Sequence, residues 1–203
     1  MWGLHRAFLA FGLVGVFGLA IPATAGVCLS ESGSRAYISG EIEMGDEKKF
    51  EEFLGKIREK PLKVVFLEGY GGSLGASVLI GRMIRKAKLS TAMRADRALC
   101  ESACTMIFAG GVQRYYINGQ RISDGFSSRG GLGYHPSHTR DPSRMFGTHS
   151  DRGTQAMGAY YREMGAPRAI ELASQAAFNT IYRPSGKTAL EMKIATSLAE
   201  PPD

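Results

Sequence analysis

The sequence predicts a single α/β domain in which parallel strands alternate with helices. Three observations predict it: strand and helix patterns alternate along the chain, one short apolar run is typical of a strand buried on both faces, and glycine turns separate the elements. Of the 203 residues, 44% are hydrophobic and 22% are charged, which excludes a disordered or fibrous protein. The length favours one domain, and no internal repeat or linker divides it.

Residues 1–25 have the features of a secretory signal peptide. A basic n-region precedes an uncharged stretch over residues 7–21, and an A-x-A pattern ends at Ala25. We expect cleavage before Gly26 and a mature domain over residues 26–203. A membrane anchor is the alternative, but the apolar stretch is shorter than the roughly 20 residues that cross a bilayer. The sequence therefore predicts an exported, soluble, periplasmic protein without a stable membrane anchor after signal removal.

The first mature elements are a strand and an amphipathic helix. Residues 36–42 alternate in polarity as a strand does. From Asp46, a candidate N-cap, apolar residues follow at positions i, i+3, i+4 and i+7 until Pro61. Residues 62–67 then form an apolar run rich in β-branched side chains, which predicts a buried strand.

A glycine turn over residues 69–72 leads to a second helix with Ile80 and Ile84 on its apolar face. The elements predicted after it are strands at 89–93, 113–117 and 132–135, helices at 100–109 and 188–198, a helical stretch over 151–177 broken near 165–167, and loops at 118–131 and 137–150. This alternation favours parallel strands joined by right-handed crossovers.

The net charge of +6 comes from 25 basic and 19 acidic residues. These charges are spread along the chain, and no block of consecutive lysines or arginines occurs. We therefore expect no nucleic-acid partner.

Three cysteines, Cys28, Cys100 and Cys104, lie in the predicted mature chain, which would meet an oxidising compartment. No second cysteine pair or nearby histidine completes a zinc set, so a disulfide or buried thiols are favoured over a metal. We expect a bond between Cys100 and Cys104, which would clamp the helix start that carries Ser102. Cys28 is the competing partner. Because i and i+4 in a regular helix are near the upper limit for a disulfide, this turn must be irregular.

Three features could together form a hydrolytic site: Gly71 and Gly72 after a buried strand, Ser102 at a helix start, and His135 at a strand end. A hydrolase needs a nucleophile, a base and backbone N–H groups for the oxyanion. Glycines expose such groups, and so does Ala103 at the helix start. Each feature also has an ordinary explanation, since serine is a common helix cap and a histidine before proline is usually a surface residue.

The segments VVFLEGYGGSLGASVLIGRMIRK, CESACTMIFAGG and GLGYHPS resemble the proteolytic subunit of the Clp protease and its exported relatives in the Clp/crotonase superfamily. Periplasmic members with a C-x-S-A-C segment are the most similar. The resemblance implies a crotonase-like spiral of β-β-α units assembled into rings. It also implies that Ser102 is the nucleophile and His135 the general base, with an oxyanion hole at Gly71 or Gly72 and at Ala103.

The chain departs from this family in its third catalytic residue. The Clp-type triad needs an Asp well downstream of the His, and the matching region contains none. Asp141 and Asp151 are the carboxylates that follow within short reach, and both lie in predicted loops or loop ends. A Ser–His dyad, an unplaced carboxylate and an inactive protein all remain open. A Ser–Lys arrangement would need Lys187 or Lys193, and neither lies in a recognisable motif.

The function predicted from the sequence is that of an exported serine hydrolase, a peptidase or related acyl hydrolase. Its expected substrate is a peptide or a small acyl compound, and we expect a homo-oligomer. No cofactor or metal is predicted, because His138 and His149 are typical of solvated loop histidines. A non-catalytic binding or assembly protein of the same fold is the alternative. Acyl-CoA chemistry is a third option, which export disfavours.

Overall fold

The computed structural model describes residues 28–57, 61–127, 129–139, 147–177 and 179–202. The expected signal peptide over residues 1–25 lies outside these ranges, so its cleavage stays a prediction. Within the described ranges, no helix combines the length and the apolar character needed to cross a bilayer.

Strands and helices alternate along most of the described chain. The strands are β1 (Cys28–Ser32), β2 (Arg35–Ile42), β3 (Val64–Gly72), β4 (Ser90–Arg94), β5 (Leu99–Glu101), β6 (Arg114–Ile117), β7 (Gly131–Gly133), β8 (His138–Thr139) and β9 (Thr148–His149). The helices are α1 (Asp46–Lys56), α2 (Leu74–Lys86), α3 (Ala103–Ala109), α4 (Asp151–Glu163), α5 (Ala169–Gln175) and α6 (Gly186–Glu191).

The main sheet is almost wholly parallel. Its strands follow the order β1-β2-β3-β4-β6, and only the β1–β2 pair is antiparallel. Helices connect the parallel strands, as crossovers in a parallel sheet require. This architecture confirms the predicted α/β class.

Strand β3 branches, and the branch places the candidate site. Its first residues, Val64–Phe66, pair with β4, whereas Gly69 pairs with Cys100 of β5. Strand β5 pairs in turn with β7, with Glu101 opposite Gly133. The carboxyl ends of β3, β5 and β7 therefore lie side by side. A predicted site residue lies at or just after each of these ends.

Helix α3 is buried along its whole length and packs against α2. The two helices approach closely at Gly110 and Gly81, where a Cβ atom on Gly110 would lie 2.4 Å from the Gly81 carbonyl oxygen. Tyr160 of α4 covers the same contact and donates a hydrogen bond to the Met106 carbonyl. This packing fixes the helix that follows Ser102.

Several sequence predictions are confirmed. The apolar run at 62–67 lies in β3, where Val64, Val65, Phe66 and Leu67 are all buried. The amphipathic patterns form α1 and α2, with Phe50, Ile80 and Ile84 fully buried. The helical stretch of 151–177 is interrupted near Gly165, as its sequence indicates.

The predicted helix over 100–109 is wrong at its start. Residues 99–101 form β5 instead, because they pair with β3 and β7 on either side. The predicted helix over 188–198 is wrong at both ends, since α6 begins after Ser185 and ends at Glu191. Lys193 adopts a φ of 55°, and the N–H of Ile194 donates to the Ala189 carbonyl, which is a Schellman ending.

Three smaller predictions also differ from the structure, and strands β1, β8 and β9 were not predicted. Residues 69–72, predicted as a turn, form the end of β3. Asp46 is the first residue of α1 rather than its N-cap, which is Gly45. The predicted strand at 132–135 ends at Gly133. Strand β1 has no counterpart among the predictions; it pairs with β2 across a tight turn in which Gly33 has a φ of 58°.

Candidate active site

Ser102 lies on a tight turn between β5 and α3. Its backbone has φ 54° and ψ −123°, a combination that non-glycine residues rarely adopt. The turn is anchored on both sides: the Ser102 N–H donates to the Gly133 carbonyl at 2.8 Å, and the Ser102 carbonyl accepts from the Thr105 hydroxyl at 2.6 Å. A strained strand-to-helix turn is the geometry that exposes the nucleophile of many hydrolases.

The Ser102 hydroxyl is not used as a helix cap. It makes no side-chain capping bond to α3, and no other described residue hydrogen-bonds to its Oγ. By contrast, Ser73, Ser150 and Ser185 cap their helices through Oγ. Ser102 therefore takes the N-cap position of α3 without capping the helix through its side chain.

A disulfide between Cys100 and Cys104 brackets this turn. Cys100 lies in a strand and Cys104 in the first turn of α3, and their Cα atoms are 5.2 Å apart. The change from strand to helix supplies the irregular backbone that a bond at this spacing needs. The structure has the predicted Cys100–Cys104 pairing.

Gly71 and Gly72 end β3 beside the serine turn, with φ values of 97° and 129°. A Cβ atom on Gly71 would lie 2.7 Å from Ser102 Cβ and 2.8 Å from the Ala103 nitrogen. Ala103 is the first residue of α3, so its N–H has no acceptor within the helix, and no described residue outside the helix accepts from it. The structure thus places Gly71 and Ala103 against the predicted nucleophile, whereas Gly72 packs against Ile42.

His135 follows β7 and is half-buried. Its Nδ1 lies 2.7 Å from the Pro136 carbonyl oxygen. Because a carbonyl can only accept, Nδ1 donates in this contact, which leaves the lone pair of a neutral ring on Nε2. No residue pattern pointed to Pro136, because the contact is made by a backbone carbonyl and not by a side chain.

Ser102 and His135 line one cavity of about 820 Å³. Gly72, Ala103 and His138 also line it. Its apolar lining comes from Ile42, Met44, Leu74, Met106 and Met157, and its acidic lining from Glu41 and Glu43. Within the described part of the chain, no direct hydrogen bond joins Ser102 Oγ to His135.

A histidine pair flanks the cavity. The rings of His135 and His138 are 4.8 Å apart, and His138 faces His149 across the β8–β9 ladder. Burial and the two neighbouring histidines lower the pKa of His138. No three His, Cys, Asp or Glu side chains of the described ranges are arranged to hold a metal ion.

Among the described residues, the candidates for a third catalytic residue do not contact His135. Asp151 is 89% exposed at its side chain, and its carboxylate pairs with His149 at 3.2 Å. Asp141 lies outside the described residues. Lys187 is exposed and near Glu191, and neither it nor Lys193 lines the cavity, so the Ser–Lys arrangement is not supported.

The chain matches no model of a known protein family and none of the curated proteins. Its fold matches solved structures. A serine-to-alanine mutant of the 1510-N membrane-bound stomatin-specific protease is 15% identical with a TM-score of 0.57, over 80% of this chain and 77% of that one. A lysine-to-alanine mutant of the same protease, in complex with a substrate peptide, is also 15% identical, with a TM-score of 0.58. This match covers 80% of this chain and 73% of that one.

The catalytic domain of the ClpP protease from Plasmodium falciparum is also similar. It is 13% identical with a TM-score of 0.53, and the match covers 81% of this chain and 84% of that domain. At these identities the likeness concerns the fold. The chain has a ClpP-like protease fold, as the sequence predicts.

Proposed function

We propose that this chain is a serine peptidase that acts through Ser102 and His135. One observation carries the proposal: Ser102 occupies a strained strand-to-helix turn with its hydroxyl uncommitted, beside a cavity that His135 also lines. A serine that only capped α3 would bond the helix backbone and would not need a positive φ. The ClpP-like fold supports the same conclusion.

In the proposed reaction, Ser102 Oγ attacks the peptide carbonyl carbon as its proton passes to Nε2 of His135. The developing oxyanion is received by the Ala103 N–H and by the backbone at Gly71 or Gly72. Collapse of the tetrahedral intermediate expels the amine, which takes the proton from His135. Water then hydrolyses the acyl-enzyme, with His135 as its base.

The Pro136 carbonyl takes part of the role that a triad carboxylate has. By accepting from Nδ1, it holds the tautomer in which Nε2 is basic. A carbonyl carries no full negative charge, so it stabilises the imidazolium less than an aspartate would. Loss of the triad aspartate costs about 10⁴ in rate in the best-known serine proteases. We therefore expect slow turnover.

The proposed substrate is a peptide or a small acyl compound. The cavity offers apolar side chains such as Met106 and Met157 together with the carboxylate of Glu43. The fold neighbour bound to a substrate peptide supports the choice of a peptide.

We also propose that the protein is exported and forms homo-oligomers. The A-x-A pattern ending at Ala25 supports export, and so does the Cys100–Cys104 disulfide, since such bonds persist in oxidising compartments. N-terminal sequencing of the exported protein should begin at Gly26. The resemblance to ring-forming peptidases supports assembly, which the mass of the purified protein in solution tests.

The alternative is a binding protein of the same fold. The observation that favours it is the lack of a direct Ser102–His135 hydrogen bond in the described residues. On this alternative the cavity would hold a peptide without cleaving it.

The experiment is covalent labelling by a fluorophosphonate. We expect the native protein to be labelled at Ser102 over a long incubation, and Ser102→Ala and His135→Ala not to be labelled while remaining folded. Ser174→Ala and His149→Ala are matched controls, because Ser174 donates to the Ile170 carbonyl on the exposed face of α5 and His149 pairs with Asp151. Both controls should be labelled like the native protein. No labelling of the native protein, or labelling that persists in Ser102→Ala, would contradict the proposal.

A further inference from the structure

One segment near the carboxyl terminus contacts both strands that carry the proposed catalytic pair. We call residues 181–183 the clamp segment. Tyr182 exchanges two backbone hydrogen bonds with Tyr134, at 2.8 and 2.9 Å, and Tyr134 immediately precedes His135. Arg183 reaches the other strand, where its Nη2 donates to the carboxylate of Glu101, immediately before Ser102. The clamp segment thus joins the residue before the nucleophile to the residue before the base.

The Glu101–Arg183 ion pair is buried. Only 9% of the Glu101 side chain and 7% of the Arg183 side chain are exposed. Taking two charges out of water costs free energy that their attraction often fails to recover, so an apolar pair would serve stability as well. Arg183 Nη1 is also buried without a partner among the described residues. Stability alone therefore does not account for the pair.

The pair fits into a space that a glycine provides. A Cβ atom on Gly133 would lie 2.8 Å from Glu101 Cγ and 3.0 Å from Arg183 Nη1. The carbonyl of the same glycine accepts the hydrogen bond from the Ser102 N–H. The ion pair, the serine turn and the strand leading to His135 therefore meet at one residue.

We propose that Glu101 and Arg183 are positioning residues, which set the Ser102 turn in register with His135 through the clamp segment. This inference rests on the proposed peptidase function. Neither side chain lines the cavity, so neither touches substrate. Their effect passes through the backbone of the serine turn and of Tyr134. Reactivity of this kind depends steeply on geometry, because a displacement of 1 Å can cost about 100-fold in rate.

The test measures the rate constant for fluorophosphonate labelling of Ser102 against pH, in Glu101→Gln, Arg183→Met and Arg183→Lys. All are compared below the melting transition of the least stable variant. We expect Glu101→Gln and Arg183→Met to be labelled about 10- to 100-fold more slowly than the native protein. Arg183→Lys should recover part of the rate, because it keeps the charge. The rate should also depend less on histidine titration in the slow variants, an effect that destabilisation alone does not produce.

Two further proteins complete the test. In Glu101→Leu with Arg183→Met, an apolar pair replaces the ion pair, so we expect a stable fold with labelling that stays slow. Glu163→Gln breaks the exposed Arg82–Glu163 ion pair and should be labelled like the native protein. Native-like labelling of Glu101→Gln, or full recovery in the apolar double variant, would overturn the inference. Failure of the native protein to be labelled would instead overturn the proposed function.

Discussion

Replacing Ser102 by glycine should stabilise the protein while it removes the reactive hydroxyl. The Ser102 backbone, at φ 54° and ψ −123°, lies in a region that costs a non-glycine residue about 1–3 kcal/mol. Glycine adopts positive φ without this penalty, but it loses more backbone entropy on folding, about 0.5–1 kcal/mol. With the middle of each range, the net gain is about 1 kcal/mol in the free energy of unfolding.

The assay compares Ser102→Gly with Ser102→Ala by thermal and urea unfolding. Alanine removes the hydroxyl but keeps Cβ, so the difference between the two variants reports the backbone strain less the entropy cost of glycine. For a chain of this size, the gain corresponds to a rise in Tm of about 2–4 °C for Ser102→Gly. Neither variant should be labelled by a fluorophosphonate.

Ser150→Gly is the matched control. Ser150 also precedes a helix, but its φ is −120° and its Oγ accepts from the Gly153 N–H at 3.1 Å. This variant should lose a few tenths of a kcal/mol in the free energy of unfolding. If Ser102→Gly is no more stable than Ser102→Ala, the serine turn stores no strain and the functional argument from its backbone is wrong.

Three further outcomes are expected. Gly71→Ala should lose about 2–6 kcal/mol of unfolding free energy and all labelling, because the new Cβ would meet the serine turn and Gly71 has a positive φ. The control Gly75→Ala, with open space around it, should gain up to about 1 kcal/mol, and equal effects of the two substitutions on stability would refute this prediction. Because burial lowers the His138 pKa, folding favours the neutral ring, and stability should fall as pH drops through the ordinary value of 6.5. His138→Asn should reduce the dependence of Tm on pH, and an unchanged dependence would count against this prediction. Reducing the Cys100–Cys104 bond should cost about 2 kcal/mol and slow labelling, and peptide mapping that finds both thiols free before reduction would exclude the bond.

The local pattern of the sequence determined which segments of this domain form its buried strand and its amphipathic helices. The run at Val64–Leu67 is buried on both faces because every residue in it is apolar, and helix α2 forms where apolar residues recur with helical period. Ser102 and His135 could be chosen from the sequence because each stands at a predicted strand or helix end. The small number of cysteines, and the position of Cys104 four residues after Cys100, also limited the possible disulfide partners of Cys100. These features depend on residues close together in the chain.

Tertiary contacts decided the rest. Residues 99–101 are too few for their pattern to predict a strand. They form one because β3 and β7 pair with them on both sides. The sequence does not indicate the positive φ of Ser102, because serine is also common at helix N-caps with ordinary backbone angles. Arg183 pairs with Glu101 across 82 positions. A sequence pattern records which faces are buried, whereas such pairings depend on how distant segments meet once the sheet has formed.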